Sequence, residues 1–368
     1  MKHQKISIFD ISFEDLKDTL LDLGQPDYRV KQLWRSLYHE GKNSFSEITN
    51  ISKELRFILS KRFYIDLFKP KIYLSSKDLS TDKALFELND GELIETVLMR
   101  YNSDGHRSSR KTVCLSTQAG CALGCTFCAT GQQGFKRNLS VGEIVKQVLY
   151  MKKIALSEDL TEIKDGKRTI GEIQGVTNIV FMGMGEPLAN YTNTLSAIRI
   201  INDSSGLNIG ARHITISTVG LIPQILKLSK ENIQINLAVS LHAPDDETRL
   251  KTMPINKRYP IEDLLNACKK YVLITGRRIF FEYVLLSDYN DSANQAITLG
   301  KLLMDINCHV NLIPVNPTDN SSYKRTSTFK AKIFQEELKK MNIPSTIRIE
   351  KGIDINAGCG QLRARIQL

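Results

Sequence analysis

Three cysteines fall within eight residues, Cys121-Ala-Leu-Gly-Cys125-Thr-Phe-Cys128, so one short loop can turn three thiols toward a common centre. A structural zinc site is normally closed by four ligands, and no second Cys or His pair follows to complete one. The next cysteine is Cys268, and His106 lies upstream. A four-iron, four-sulfur (4Fe-4S) cluster suits the count better, because three thiolates leave one iron open to chelate a small molecule. Zinc closed by a distant ligand is the bland alternative. A redox disulfide fits poorly in a reducing compartment.

The chain has seven cysteines, and the other four divide into two kinds. Cys268 shares a helical face with Ile261, Leu264 and Leu265, and Cys308 opens a strand; both read as small packed hydrophobes. Cys114 lies on the strand just before the cysteine loop. Cys359 sits in Asp354-Ile-Asn-Ala-Gly-Cys359-Gly-Gln-Leu, too glycine-rich for a good helix, where a thiol can swing between positions.

Polar groups gather where apolar runs end. Phe181-Met-Gly183-Met-Gly185-Glu186-Pro187 is a glycine-rich turn that lets backbone approach a ligand, and Glu186 can accept from an ammonium. Ser217-Thr218, Ser240-Leu241-His242 and Asn316-Pro317 each place small hydrogen-bonding groups at a strand end, where βα units put their ligands. Such residues also satisfy ordinary turns.

These positions need a frame. Apolar runs predict strands at 112–116, 176–182, 213–218, 234–241, 278–286, 309–315 and 345–350. Helices are predicted near 141–156, 191–203, 221–231, 261–274, 292–306 and 329–341. Runs such as Ile235-Asn-Leu-Ala-Val-Ser-Leu are apolar throughout, as strands covered on both faces are. The fold class is α/β with a parallel sheet, open or barrel-like, with too few units for an eightfold barrel. Ahead of it, residues 1–70 read as a helical domain, with a helix start at Ser12-x-x-Asp15 and a second helix from Tyr28 to His39 that offers Arg29, Lys31 and Arg35 to phosphate. Residues 71–106 read as a strand-rich connector that bridges the two parts, 107–350 as the main domain and 351–368 as a tail. The basic turn His106-Arg107-Ser-Ser-Arg110-Lys111 precedes the first main strand. Ser157 to Gly175 and Pro317 to Thr328 read as loops, the second a candidate lid or RNA-binding loop.

Lys and Arg exceed Asp and Glu, 50 against 40, which points to a polyanionic partner. No apolar stretch suits a signal peptide or a membrane span, so a cytoplasmic protein is expected, without membrane association.

The Cys-x-x-x-Cys-x-x-Cys loop with an aromatic before its last Cys, and its flank Cys128-Ala-Thr-Gly-Gln-Gln-Gly-Phe-Lys-Arg-Asn-Leu, resemble the RlmN/Cfr family of radical S-adenosylmethionine (SAM) RNA methyltransferases. The resemblance implies a partial (β/α)6 barrel with an N-terminal accessory domain that helps to hold RNA. It implies cluster ligands Cys121, Cys125 and Cys128, and SAM contacts at Gly185, Glu186, Ser217, Ser240, Leu241, His242 and Asn316. By the same resemblance, two SAM would be used per turnover: one would methylate Cys359, and the other would yield a radical that takes hydrogen from that methyl. The resemblance further implies that the carbon adds to carbon-2 of adenosine, that Cys114 resolves the adduct through a disulfide, and that Glu95 stands where the family's proposed base does. Substrates would be 23S rRNA and tRNA, with flavodoxin or ferredoxin as electron donor to a monomer. Asn356 and Gly358 depart from the family's usual Asp and Ala. A Cfr-type enzyme acting on carbon-8 is the nearest rival, and an RNA-binding protein with a structural metal loop is the rival from another class.

Overall fold

The computed structural model describes residues 5–102, 109–167, 175–316, 318 and 321–363. Strand β1 (Ile6–Ser7) pairs in parallel with β2 (Phe63–Tyr64). Between them lie α1 (Phe13–Asp22), α2 (Tyr28–Trp34), which runs into a π-helical stretch at Arg35–His39, and α3 (Lys53–Arg62). Helix α1 starts where expected, since the Ser12 hydroxyl accepts from the Asp15 amide at 3.0 Å and satisfies one of the first turn's free donors. On α2, Val30, Leu33 and Trp34 are buried, and the Trp34 ring packs against Phe13 and Tyr38 with centroids 5.2 and 4.5 Å away. Trp34 Nε1 also donates to Asp203 Oδ2 at 3.1 Å, tying this helical unit to the rest of the molecule.

The remaining strands build one large sheet. β3 (Pro70–Ser75), β4 (Thr81–Glu87) and β5 (Leu93–Tyr101) form an antiparallel meander, and β5 pairs antiparallel with β6 (Arg110–Cys114). A small ribbon of β7 (Gln118–Gly120) and β8 (Phe135–Asn138) follows, with the cysteine loop and the short α4 (Ala129–Gln132) between its strands. Helix α5 (Val141–Lys164) leads to β9 (Asn178–Phe181), then α6 (Tyr191–Asn202), β10 (Ile214–Thr218), α7 (Ile222–Leu228) and β11 (Asn236–Ser240). The chain continues through α8 (Asp246–Thr252), α9 (Ile261–Thr275), β12 (Ile279–Leu285), α10 (Ala293–Leu303), β13 (Cys308–Pro314), α11 (Thr328–Lys340) and β14 (Ser345–Ile347). From β6 through β9 to β14, each strand lies parallel beside the next.

This sheet is curled. Strands β14 and β9 are separated by four others in the sheet, which in a flat sheet puts them about 24 Å apart at ~4.8 Å per strand. Yet Arg348, just past β14, reaches Met182, just past β9, with Nη1 3.8 Å from Sδ. One arginine cannot span a flat sheet, so the strands close toward a barrel whose free edges are β14 and β3. The expected partial (β/α)6 barrel is what the chain forms, with β3 to β5 extending its sheet.

The structure departs from the sequence reading in four local respects. Helix α5 runs to Lys164 rather than stopping near residue 156. The charges that suggested a solvated loop are in part internal: Asp159 is fully buried and pairs with Lys111 Nζ at 2.8 Å, while Glu158 pairs with Lys111 and Arg100. Lys111 thus belongs to a buried ion network and not to a basic turn; His106 and Arg107 lie outside the described residues, as does Pro317. The connector strands continue the main sheet from β6, where a bridge between two parts was expected. Strand β14 ends at Ile347, short of residue 350, although the Arg348 amide still donates to Leu312 O on β13 at 2.8 Å. Among the described residues, no helix is long and apolar enough to cross a membrane.

Trp34→Ala should destabilise the protein by about 3–5 kcal/mol, the usual cost of emptying a large aromatic site. Urea denaturation followed by circular dichroism checks this.

Candidate active site

The cysteine loop is held on both flanks. The Cys121 amide donates to Gly134 O at 2.9 Å, Thr126 N to Thr252 O at 3.0 Å and Cys128 N to Cys125 O at 3.1 Å. Gly120 has φ +72°, and a Cβ there would collide with the Gly134 carbonyl. Cys121 and Cys125 are buried and Cys128 is half-buried. Burial pushes the Cys121 thiol up to about 11, with smaller contributions from Cys128 and Glu186. Cys125 is pushed higher, by burial and then by Cys128 and Cys121. The three sulfurs therefore feel one another, and binding metal must displace their protons. Among the described residues no three His, Cys, Asp or Glu side chains converge on a single-metal site, and a cubane does not ask them to, since each thiolate takes a different iron. Three soft thiolates with no hard oxygen ligand fit an iron-sulfur cluster.

Beside the loop, the turn after β9 is shaped for close approach. A Cβ on Gly183 would stand 2.6 Å from Leu115 O, and Gly185 (φ +96°) would put one 2.5 Å from Gln118 Cβ. Glu186 is buried, its Oε1 accepting from the Leu188 amide at 3.0 Å and its Oε2 from the Val219 amide at 2.9 Å. Burial outweighs these donors and raises its pKa to about 7. Ser217 on β10 and Ser240 at the end of β11 are half-buried, at the carboxyl ends of their strands. The Leu241 side chain is wholly buried, and its amide donates to Glu282 O at 3.0 Å. His242 has φ +59° and meets Phe127 of the cysteine loop edge-on at 5.0 Å. Its Nδ1 accepts from the Val284 amide at 3.0 Å, and burial, then Arg249, push its pKa down to about 3, so it stays neutral. Asn316 Oδ1 and Thr117 Oγ1 are buried without a partner among the described residues. An ammonium-bearing, polar ligand such as SAM fits this set: Glu186 can accept from an ammonium, and the unpartnered oxygens of Asn316 and Thr117 can accept further hydrogen bonds.

Sequence reasoning missed Arg249. It is fully buried, and its guanidinium donates to the carbonyls of Leu241 (3.1 Å), Tyr259 (3.2 Å), Val219 (2.7 Å) and Ser240 (3.2 Å) and to Asn256 Oδ1 at 2.8 Å. It pins the ends of β10 and β11 and lowers the pKa of Cys125 through space. Its acceptors are mostly backbone, so no side-chain motif announces it.

A second cavity adjoins, lined in part by Tyr101, Cys114, Met182, Asn316, Arg348 and Cys359. Cys114 is buried and Cys359 exposed. Burial, and then the Cys359 thiol, push Cys114 up to about 12, so it rests protonated. Arg348 Nη1 lies 3.7 Å from Cys359 Sγ. The tail docks on its neighbours: Ala129 N donates to Gly360 O at 2.8 Å, Thr130 Oγ1 to Leu362 O at 2.8 Å and Asn316 Nδ2 to Cys359 O at 3.4 Å. Asn356 has φ +52°, a conformation asparagine tolerates better than most residues. Gly358 lies so close to Asn316 that a Cβ would strike its amide nitrogen. Glu95 shares the β5 face of Met99 and Tyr101, but its carboxylate is engaged, by Lys83 Nζ at 3.0 Å and by the Arg363 amide at 2.8 Å. Cys268 and Cys308 are buried in the core, as expected.

Because Glu186 holds its proton more tightly folded than unfolded, its contribution to stability is full below about 4.5 and is lost as pH rises through about 7. The ligand-free protein should therefore lose melting temperature between pH 5 and 7.5 more steeply than Glu186→Gln. Scanning calorimetry across that range checks it.

Residues 115–299 match the Radical SAM superfamily, and residues 6–65 match the Ribosomal RNA large subunit methyltransferase N-terminal domain. Two curated relatives, each described as "Probable dual-specificity RNA methyltransferase RlmN", are 45% identical. That from Staphylococcus carnosus aligns over 98% of this chain and 93% of its own length, and that from Alkaliphilus oremlandii over 98% of both. A crystal structure of a radical SAM methyltransferase from Sphaerobacter thermophilus superposes with a TM-score of 0.87 at 42% identity, covering 98% of this chain and 100% of that one. With both terminal and central matches spanning the cysteine loop, the glycine turn and the helical unit, the chain belongs to the RlmN family of radical SAM RNA methyltransferases.

Proposed function

We propose that this radical SAM RNA methyltransferase places its methyl group on carbon-2 of adenosine, in 23S rRNA and in tRNA, through a methyl carried on Cys359. The observation that carries the reading is the pairing of Cys114 with Cys359 around one cavity, on a tail hydrogen-bonded to the helix that follows Cys128. Carbon-2 lies between two electron-withdrawing ring nitrogens and does not attack a methyl cation equivalent, so a polar transfer fails there.

When bound, the 4Fe-4S cluster and SAM supply a carbon-centred radical strong enough to take hydrogen from an unactivated methyl group. Cys121, Cys125 and Cys128 hold the cluster. Glu186, Gly185, Ser217, Ser240, Leu241, His242 and Asn316 are assigned to SAM. Glu186 meets its ammonium, and the glycine turn admits it closely. Cys359 takes a methyl on sulfur from one SAM and surrenders one hydrogen from that methyl after a second is consumed. The Cys359 methylene radical then bonds to carbon-2, and the ring radical so formed gives up one electron to a one-electron acceptor, such as the oxidised form of the flavodoxin- or ferredoxin-type partner. Glu95 receives the ring proton, once the tail amide that occupies its carboxylate has moved. Cys114 must lose its proton to act; its thiolate then attacks the Cys359 sulfur, forming an S–S bond as the sulfur–carbon bond breaks, and the freed carbon takes a proton. Arg348, next to both sulfurs, favours the thiolate. The same reading takes a flavodoxin- or ferredoxin-type donor as the electron source, in a cytoplasmic monomer.

RNA also needs a long-range hold. On α2 the Arg29 guanidinium is engaged by Gln32 and the Asn50 carbonyl, whereas Lys31 and Arg35 are exposed. Charge reversal at Lys31 and Arg35 should reduce the salt dependence of RNA binding, by about 0.7 to 0.9 in log–log slope per lost phosphate contact. Filter binding at graded salt measures it, and an unchanged slope returns this face to solvent.

The reconstituted full-length protein, given SAM, a reductant and unmodified RNA, should yield 2-methyladenosine by nucleoside mass spectrometry. Product methylated on carbon-8, or none, overturns the reading. Cys359→Ala should give no methylated RNA, whereas Cys114→Ala should accumulate covalent protein–RNA adduct on denaturing gels.

A further inference from the structure

Lys83 and Glu95 are an ion pair with little access to water, their side chains 11% and 4% exposed. They occupy neighbouring strands: Lys83 faces Val97 across β4 and β5, so Glu95 is its diagonal neighbour on the same face. Burying two charges is costly unless each finds further partners. Here each finds one in the tail backbone. Lys83 Nζ donates to Asn356 O at 3.2 Å, and Glu95 Oε2 accepts from the Arg363 amide at 2.8 Å. One contact precedes Cys359 and the other follows it. A third contact lies outside the pair, where Asp354 accepts from the Lys77 amide at 2.9 Å.

We propose that the Lys83–Glu95 pair is a latch that seats the carrier tail, with Lys83 as a positioning residue that fixes Cys359 beside Arg348 and Cys114. Each charge grips the tail through a backbone group, so the grip does not depend on tail side chains. Without the tail, both charges lose their second partner and the buried pair is left under-satisfied. Removing one charge leaves the other without its counter-charge, and the tail loses its hold on both sides of the thiol. The latch also explains why Glu95 is closed to RNA while the tail is seated. This inference deepens the carrier role proposed for Cys359 and rests on it only for its consequence in turnover.

The test uses the full-length reconstituted protein. Hydrogen exchange of the peptides covering 354–363, and peptide-resolved alkylation of Cys359 by iodoacetamide, are compared in wild type, Lys83→Met, Lys83→Arg and Lys146→Met. The last breaks the Lys146–Asp66 pair, away from the tail. Lys83→Met should speed tail exchange by about ten- to hundredfold, the ratio that loss of one charged hydrogen bond commands, and should alter Cys359 alkylation. Lys83→Arg should restore most of the protection. Lys146→Met should lower the melting temperature and leave the tail protected. Glu95→Gln, which keeps an acceptor for Arg363 but not the charge, should fall between wild type and Lys83→Met and serves if Lys83→Met does not fold. Unchanged tail protection in both Lys83→Met and Glu95→Gln overturns the latch, as does equal loss in Lys146→Met. Normal latch behaviour in a protein that leaves Cys359 unmethylated would instead count against the carrier role.

Discussion

The backbone hydrogen bond from the Ala129 amide to the Gly360 carbonyl at 2.8 Å ties the Cys359 tail directly to the cysteine loop. Ala129 follows the last cysteine of the loop, and Gly360 follows the exposed thiol. The bond therefore helps to hold Cys359 at a set position relative to the cysteine loop. Both ends must be prepared for it. The curled sheet brings β14 and β9 close enough for Arg348 to touch Met182, and the αL conformations at Gly352 and Asn356 turn the tail back under the barrel mouth.

The charges around the site are arranged for partners other than each other. Among the described residues, Glu186 is buried without a cation, Arg249 is buried among carbonyls, and Asn316 keeps an unpartnered oxygen. In a finished hydrophobic core these would be expensive errors. In a ligand site they are standing costs that a bound, charged molecule offsets, which is why they cluster at the carboxyl ends of the parallel strands. The hydrophobic core tolerates them because it lies elsewhere, between the sheet and its helices, where Ile216, Leu237, Phe281 and Val310 are fully buried.

Much of this was legible in the sequence. The cysteine loop declares itself through spacing, Glu186 through the glycines before it, and the parallel α/β sheet through apolar runs alternating with amphipathic ones, while its closure toward a barrel was implied only by the family resemblance. What stayed hidden depends on contacts distant in sequence. The length of α5 could not be read, because its charged end is neutralised by Lys111 and Arg100 from neighbouring strands. Arg249 acts largely on carbonyl oxygens and Lys83 in part, and every residue has one. Gly358 read only as a departure from the family's usual Ala, whereas in the fold its missing Cβ lets the tail lie against Asn316.

The central claim is that the methyl reaches RNA by way of the Cys359 sulfur. It is tested most directly by supplying SAM whose methyl carries three deuteriums and weighing the methylated adenosine. Passage through Cys359 removes one deuterium by abstraction and returns a proton, so the product methyl should hold two. A methyl that keeps all three would mean direct transfer and would contradict the account.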